Sequence, residues 1–524
     1  MINITIMKNK NRNIIIFSAL ALLISSCAKQ ERENETVDMN IKLTWTVVTN
    51  MLRGESSCRA AFTIQNNSNQ ILGNSGWAIY YSQSPREITN APNSKAIVKH
   101  INGDWFKIIP AQRFSLSPKE KVMVHYDLSH YLIKETDSPL YPYIVRYDEN
   151  GNETSIEKIS DYTIFPFEKP AQINRGSNDV VPIPTPENRY QDNLDLSLLP
   201  GNLLHKIIPT PVHVDPEDGS LNLTNALKIY YSSNLLSEAK YIQEILQKFT
   251  GTTFSILEKD YKNGKAIVLN TKPLNINGIS SETYMLEISS NRGVMITGSD
   301  PTGVFYGIQS LMSLMPLDIF QSSQDTIRIP NIRVEDAPRF PYRGQHLDVC
   351  RNFFPKSTVL KLLDLMAFYK LNHLQLYLSE DEGWRIEIED LPELTAVGAQ
   401  RQHTSKDAAA LHPSYGSGPN PYEEDTHGSG YYSKDDFIEI IKYAQKRHIK
   451  VIPTINFPGH ARAAIKAMEA RFNNFMEKGQ EQLANEYRLI DPDEKSKYSS
   501  AQRYDDNVVN VARESTYRFY ETVI

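Results

Sequence analysis

Between Pro338 and Ile524 strands alternate with helices, and no other feature of the chain restricts its fold so strongly. Residues 343–349 read as a first strand. Residues 356–370 read as a helix, because Val359, Leu362, Leu363 and Met366 recur on one face at helical spacing. A second strand spans 373–378, and a Gly/Pro-rich loop runs over about 398–432. A helix over 435–447 and a third strand over 450–455 follow. Strands joined through helices run parallel, because a tight hairpin returns the chain only antiparallel. Such repeats build a parallel sheet or a barrel, and in a (β/α)8 TIM barrel the reacting groups gather at the carboxyl ends of the strands.

Polar groups stand at those ends. Arg351 follows the first strand, Glu380 and Asp381 follow the second, and His460 follows the third. None is specific alone, since a single Pro-Gly-His or Glu-Asp is common. Their convergence from three strand ends is what a site requires. The plainer readings are a salt bridge to a neighbouring carboxylate for Arg351 and a satisfied buried histidine for His460. Asp348 and Arg343 lie in the first strand and read as framework. Trp384 and Arg385 read as packing and loop anchoring.

The residues around these positions are Arg343-Gly344-Gln345-His346-Leu347-Asp348-Val349-Cys350-Arg351-Asn352-Phe353-Phe354, then Lys370-Leu371-Asn372. Ser379-Glu380-Asp381-Glu382-Gly383-Trp384-Arg385 and Phe457-Pro458-Gly459-His460 complete the set. In this order and spacing the segment resembles the opening strands of the catalytic barrel of glycoside hydrolase family 20, the β-N-acetylhexosaminidases. The resemblance implies that Arg351 binds sugar hydroxyls, its planar fork suiting two adjacent oxygens. It implies that Glu380, in place of a family aspartate, pairs with His460 and tunes the catalytic acid. Asp381 matches a second family acid and reads as structural.

Three departures accompany it. Gln375-Leu376-Tyr377 replaces the family's usual His-x-His; Glu380 is one methylene longer than aspartate; Thr454 and Asn456 replace two carboxylates while keeping hydrogen-bonding groups. The family cleaves by substrate assistance, the 2-acetamido oxygen attacking the anomeric carbon. An aspartate after the fourth strand orients that acetamide, and the adjacent glutamate protonates the leaving oxygen. The chain ends at Ile524, before the His-x-Gly-Gly-Asp-Glu segment carrying that pair. The expectation is therefore about three of eight barrel strands, no closed barrel, and near-background hydrolysis by these 524 residues alone. The resemblance implies exo-hydrolysis of terminal β-linked N-acetylglucosamine or N-acetylgalactosamine, with no cofactor and no metal. The alternatives are a non-catalytic glycan-binding surface lipoprotein and an inactive truncated product.

Upstream the chain is modular. Residues 38–168 carry many short alternating stretches and an Asn102-Gly103 turn, the signature of a β-sandwich. This segment resembles the chitobiase-type N-terminal domain. Trp45, Trp77 and Trp105 read as core, with stacking on sugar rings the alternative. Residues 169–203, rich in proline, read as an irregular linker. Residues 204–334 mix strands with helices over 237–249 and 302–314, where Gly303 and Gly307 permit close packing. This resembles the small α+β domain that precedes the family's barrel.

Lys8, Lys10 and Arg12 precede a short apolar run that ends in Ile24-Ser25-Ser26-Cys27. Residues 1–27 look like a lipoprotein signal peptide, with Cys27 as the lipid-bearing residue of a bacterial envelope protein. Residues 28–37 read as a polar tether. The remaining cysteines, Cys58 and Cys350, read as free and buried. A net charge of -6 with scattered basic residues argues against a nucleic-acid face.

Overall fold

The computed structural model describes residues 40–524 except 53–55, 93–94, 177, 182–184, 198–205 and 425. The signal segment, Cys27 and the tether lie outside the described residues.

The first domain is a sandwich of two five-stranded sheets. One has the order Tyr162–Ile164, Ile41–Thr49, Ser57–Asn66, Lys121–Ser129, Ile88–Asn90. The other has the order Ala96–Asn102, Trp105–Pro110, Trp77–Ser82, Leu140–Tyr147, Glu153–Lys158. Strict alternation in Ile41–Thr49 puts Leu43, Trp45 and Val47 inside. Trp45, Trp77 and Trp105 are all buried, and each indole N–H is satisfied: Trp45 by Tyr126 Oη, Trp77 by Gly73 O, Trp105 by Tyr143 Oη. Trp45 and Trp77 are core residues, the first of the two readings, whereas Trp105 is buried between Tyr80 and Tyr143 of its own sheet and His403 and His412 of the long loop.

The linker departs from the irregular path expected of it. It forms two short helices, Pro170–Ile173 and Pro186–Asp192, each opening on proline. Proline at the first helical position lacks only an N–H that would be unpaired there anyway, so a Pro-rich stretch can start helices. Gln172 ties the first of them back to the sandwich through Val47 O, and Thr185 caps the second.

The α+β domain is a seven-stranded sheet with the helices Leu236–Thr250 and Pro301–Ser313. The second helix lies so close to the sheet that a Cβ on Gly303 or Gly307 would overlap Thr283 or Ile296. Its two longest strands, His213–Leu223 and Ile327–Asp336, pair antiparallel with a register break between Pro216 and Ser220.

The last part is a parallel three-stranded sheet in the order Gly344–Asp348, His373–Tyr377, Lys450–Thr454. The helices Lys356–Phe368 and Lys434–Gln445 connect the strands. These are the opening β/α units of a TIM barrel, and the three strands form an open sheet. A single apolar core runs without a break from the α+β domain into these units. Arg343 and Lys370 bridge the same junction. Arg343 bonds Glu282 at 2.7 Å and Tyr306 Oη at 2.8 Å, and Lys370 pairs with Asp336 at 2.9 Å. Arg343 is framework, as its place in the strand suggested.

Candidate active site

Each barrel strand ends in a polar group because the chain must leave the sheet there, and backbone and side chains at strand ends face solvent or a cleft. Asp348 closes the first strand, and its Oδ1 accepts from the N–H groups of Cys350 and Arg351. That turn aims the Arg351 guanidinium over the sheet end. There it meets three carboxylates: Glu380 at 2.8 Å, Asp348 at 2.9 Å and Glu382 at 2.9 Å. Burial works against the Arg351 charge, but Glu382, Glu380 and Asp348 outweigh it and hold the group above the usual arginine range. Its Nη2 has no partner among the described residues and the side chain is 21% exposed, so one edge of the fork faces outward. Arg351 is thus ion-paired, with its Nη2 nitrogen left over.

The second strand continues into a tight hairpin, Ser379–Glu380 against Gly383–Trp384. It carries Glu380, Asp381 and Glu382, all buried. Burial raises the Glu380 carboxyl, and Arg351 and His460 only partly offset it. Burial also pushes Glu382 up to about 7, against the pull of Arg351.

After the third strand, His460 adopts φ +54 and turns its ring back toward the hairpin. Its Nδ1 lies 3.1 Å from Glu380 Oε2 and 3.3 Å from Asp381 Oδ2. The ring is 41% exposed, so it is not the enclosed histidine of the plainer reading. Asp381 does most to raise the imidazole, burial opposes it, and Glu380 adds to the rise. Both carboxylates thus approach the histidine, although His460 Nδ1 and Glu380 Oε2 are not aligned for a hydrogen bond. Asp381 is held in turn by the N–H of Arg462 at 3.2 Å and by Asn507 Nδ2 at 2.9 Å.

Glu380, Asp381 and His460 bring three ligand atoms within 4.8 Å, a spacing compatible with a cation. The Arg351 guanidinium 2.8 Å from Glu380 already supplies positive charge to that cluster. The arrangement works as an ion-pair network.

Two buried arginines underlie the site. Arg385 donates to the carbonyls of Val349, Cys350, Ala399, Gly428 and Gly430. Arg401 donates to those of Glu382, Ser414, Cys350 and Arg351. They fasten the long loop beneath Arg351. Arg385 was legible beside Trp384, whereas Arg401 and Glu382 carry no local signal in a Gly/Pro-rich loop and an acidic run. Cys58 and Cys350 are free and buried, and burial pushes the Cys58 thiol up to about 12.

An arginine, a histidine and paired acids thus gather at the strand ends of the opening β/α units. Residues 340–524 match the model of "Glycosyl hydrolase family 20, catalytic domain", and residues 204–337 match that of "Glycosyl hydrolase family 20, domain 2". Residues 36–187 match a "Putative carbohydrate binding domain". The chain belongs to glycosyl hydrolase family 20. It is 33% identical over 504 residues to a β-hexosaminidase of Vibrio vulnificus, a match covering 93% of this chain and 57% of that one. It is 32% identical to the N,N'-diacetylchitobiase of Vibrio harveyi, over 98% of this chain and 58% of that one. The chain therefore spans under two thirds of the length of these relatives. In fold it is similar to a family 20 exo-β-N-acetylglucosaminidase of Vibrio harveyi solved with N-acetylglucosamine, with TM-score 0.70 and 24% identity. That match covers 92% of this chain and 65% of the other.

Proposed function

We propose that this protein is an exo-acting β-N-acetylhexosaminidase that removes terminal β-linked N-acetylglucosamine or N-acetylgalactosamine from glycans. The observation that carries the reading is the outward edge of Arg351, held by three carboxylates beside the shared His460. A fork with one free edge suits adjacent sugar hydroxyls. His460, between Glu380 and Asp381, is placed to set the protonation of a neighbouring carboxylic acid. In the substrate-assisted scheme that acid and its acetamide-orienting aspartate follow the fourth strand. The glycan-binding alternative is less well supported, since Trp45, Trp77 and Trp105 are buried and offer no stacking platform.

The test is turnover of a chromogenic N-acetyl-β-hexosaminide by a polypeptide that includes the fourth-strand Asp-Glu pair. His460→Gln is expected to lower kcat by about 10²-fold with KM little changed. Glycan binding without turnover in the parent polypeptide would instead establish the non-catalytic reading. Turnover indifferent to His460→Gln would remove the histidine from the mechanism.

We also propose that the protein is a lipoprotein of the bacterial cell envelope, acylated at Cys27. The basic start, the short apolar run and Ile24-Ser25-Ser26-Cys27 support this. Cys27→Ser should move the protein from the membrane fraction to the soluble one. Retention in the membrane, with no lipid mass on the N-terminal peptide, would refute it.

A further inference from the structure

The tip of one sandwich hairpin, Asn102-Gly103-Asp104, is driven into the barrel segment. Gly103, at φ +57, lies against the Tyr504 ring with no room for a Cβ. Asp104 is buried and accepts from Ser414 Oγ at 2.6 Å and from Tyr415 N at 2.7 Å. Asn102, also buried, donates from Nδ2 to Asp506 Oδ1 at 2.9 Å and accepts from Asp505 N at 3.4 Å.

Asp506 is the junction. It takes Arg462 Nε at 2.9 Å and pairs with Lys466 at 3.1 Å. Burial works to raise Asp506, but Arg462 and Lys466 outweigh it and hold the carboxyl below its usual range. Arg462 is buried, and Asp506 is its carboxylate partner among the described residues. Arg462 also opens the helix Arg462–Glu477, and its backbone N–H donates to Asp381 Oδ1. Asp381 faces His460. Arg462 and Lys466 stand one turn apart on the same helix, so by themselves they would let Asp506 travel with that helix. Among the described residues Asn102 is the sandwich partner of the Asp506 side chain, while Gly103 N–H holds Arg503 O and Glu87 pairs with Arg503 earlier on the same loop.

We propose that Asn102 is a positioning residue of the active site: by holding Asp506 it fixes Arg462 and the helix start whose first N–H orients Asp381 toward His460. The N-terminal domain is on this view a brace for the His460 carboxylates. The proposal deepens the hexosaminidase reading and rests on it for its consequence in catalysis.

The groups facing the His460 ring are Glu380 and Asp381 from the hairpin and Arg351 from the first strand end. None of them is altered by the variants that test the proposal. The 524-residue chain, labelled with ¹³C at histidine Cε1, is titrated by NMR, with the His460 signal identified by its loss in His460→Gln. Asn102→Ala is expected to lower the His460 midpoint by about half a pH unit or more, as Asp381 loses its fixed approach. Asp506→Asn, which keeps shape and removes the negative charge facing Arg462, should lower it at least as far. Tyr141→Phe deletes a different sandwich-to-barrel bond, the one to Glu423, and should leave the midpoint in place. Should Asn102→Ala fail to fold, Asn102→Ser retains an oxygen for the Asp505 N–H and still lacks the amide donor. An unmoved His460 midpoint in folded Asn102 and Asp506 variants overturns the proposal. So does an equal shift in Tyr141→Phe, which would make the effect one of docking in general. The titration needs no turnover, so its outcome is separable from that of the hydrolysis assay.

Discussion

Arg351→Met is expected to destabilise the protein by about 3–5 kcal/mol near pH 8, because it leaves buried carboxylates without their common counter-charge. Glu380 and Glu382 are 3% and 2% exposed at the side chain, and each lies within 2.9 Å of the guanidinium. Without Arg351, among the described residues His460 remains to face Glu380, and Arg401, whose donors are spent on backbone carbonyls, is the remaining cation acting on Glu382. The loss has a defined pH dependence. A carboxyl whose folded pKa lies above its unfolded value contributes stability at low pH and loses it as the pH rises between the two values. For Glu382 that window runs from 4.5 to about 7. Arg351 lowers both Glu382 and Glu380, so its removal raises them further and widens the penalty upward. The variant should therefore approach the parent in stability near pH 4.5 and fall away from it toward pH 8. Urea unfolding at the two pH values measures this. A deficit at pH 8 below about 1 kcal/mol, the size of an exposed ion pair, would show that the network is solvated rather than buried.

Arg385→Met is expected to cost about 4 kcal/mol or more, independent of pH across the neutral range. The guanidinium is fully buried and spends its donors on five backbone carbonyls. Methionine fills similar volume and satisfies none of them. Each orphaned buried carbonyl costs about 1–3 kcal/mol, part of which relaxation recovers. Three of the five, Ala399, Gly428 and Gly430, belong to the long loop, and the others, Val349 and Cys350, lead into Arg351. The same change should thus open the loop to protease within 398–432 before the rest of the chain is cut. An unfolding midpoint unchanged from the parent would mean that the loop is held by other contacts, chiefly those of Arg401.

What could be read beforehand follows the range of the physical signal. The helix Pro301–Ser313 and the parallel strands were legible because hydrophobic period and β/α alternation are local. His213–Leu223 was not, since Pro216, Asp218 and Gly219 break its alternation and its partner lies over a hundred residues away. At the site, Arg351, Glu380 and His460 were visible from their strand-end positions and motif. Glu380 and Asp381 are adjacent acids on a hairpin and look alike in sequence. That both face the histidine depends on a turn at φ +54 after the third strand. Arg401 and Asp506 could not be found at all, because their partners are carbonyls and side chains brought together only by the finished fold.

A ribosome releases the α+β domain before the barrel strands, and chains acquire structure in that order. The first barrel strand therefore emerges beside a sheet already able to receive it. Glu282 and Tyr306 wait for Arg343, Asp336 waits for Lys370, and an apolar face waits for the helix Lys356–Phe368. Parallel strands are slow to find one another unaided, since their contacts are distant in sequence. With this domain as a template the early β/α units have a place to settle while later ones are still being made, and the nascent barrel spends less time with its edges and core exposed.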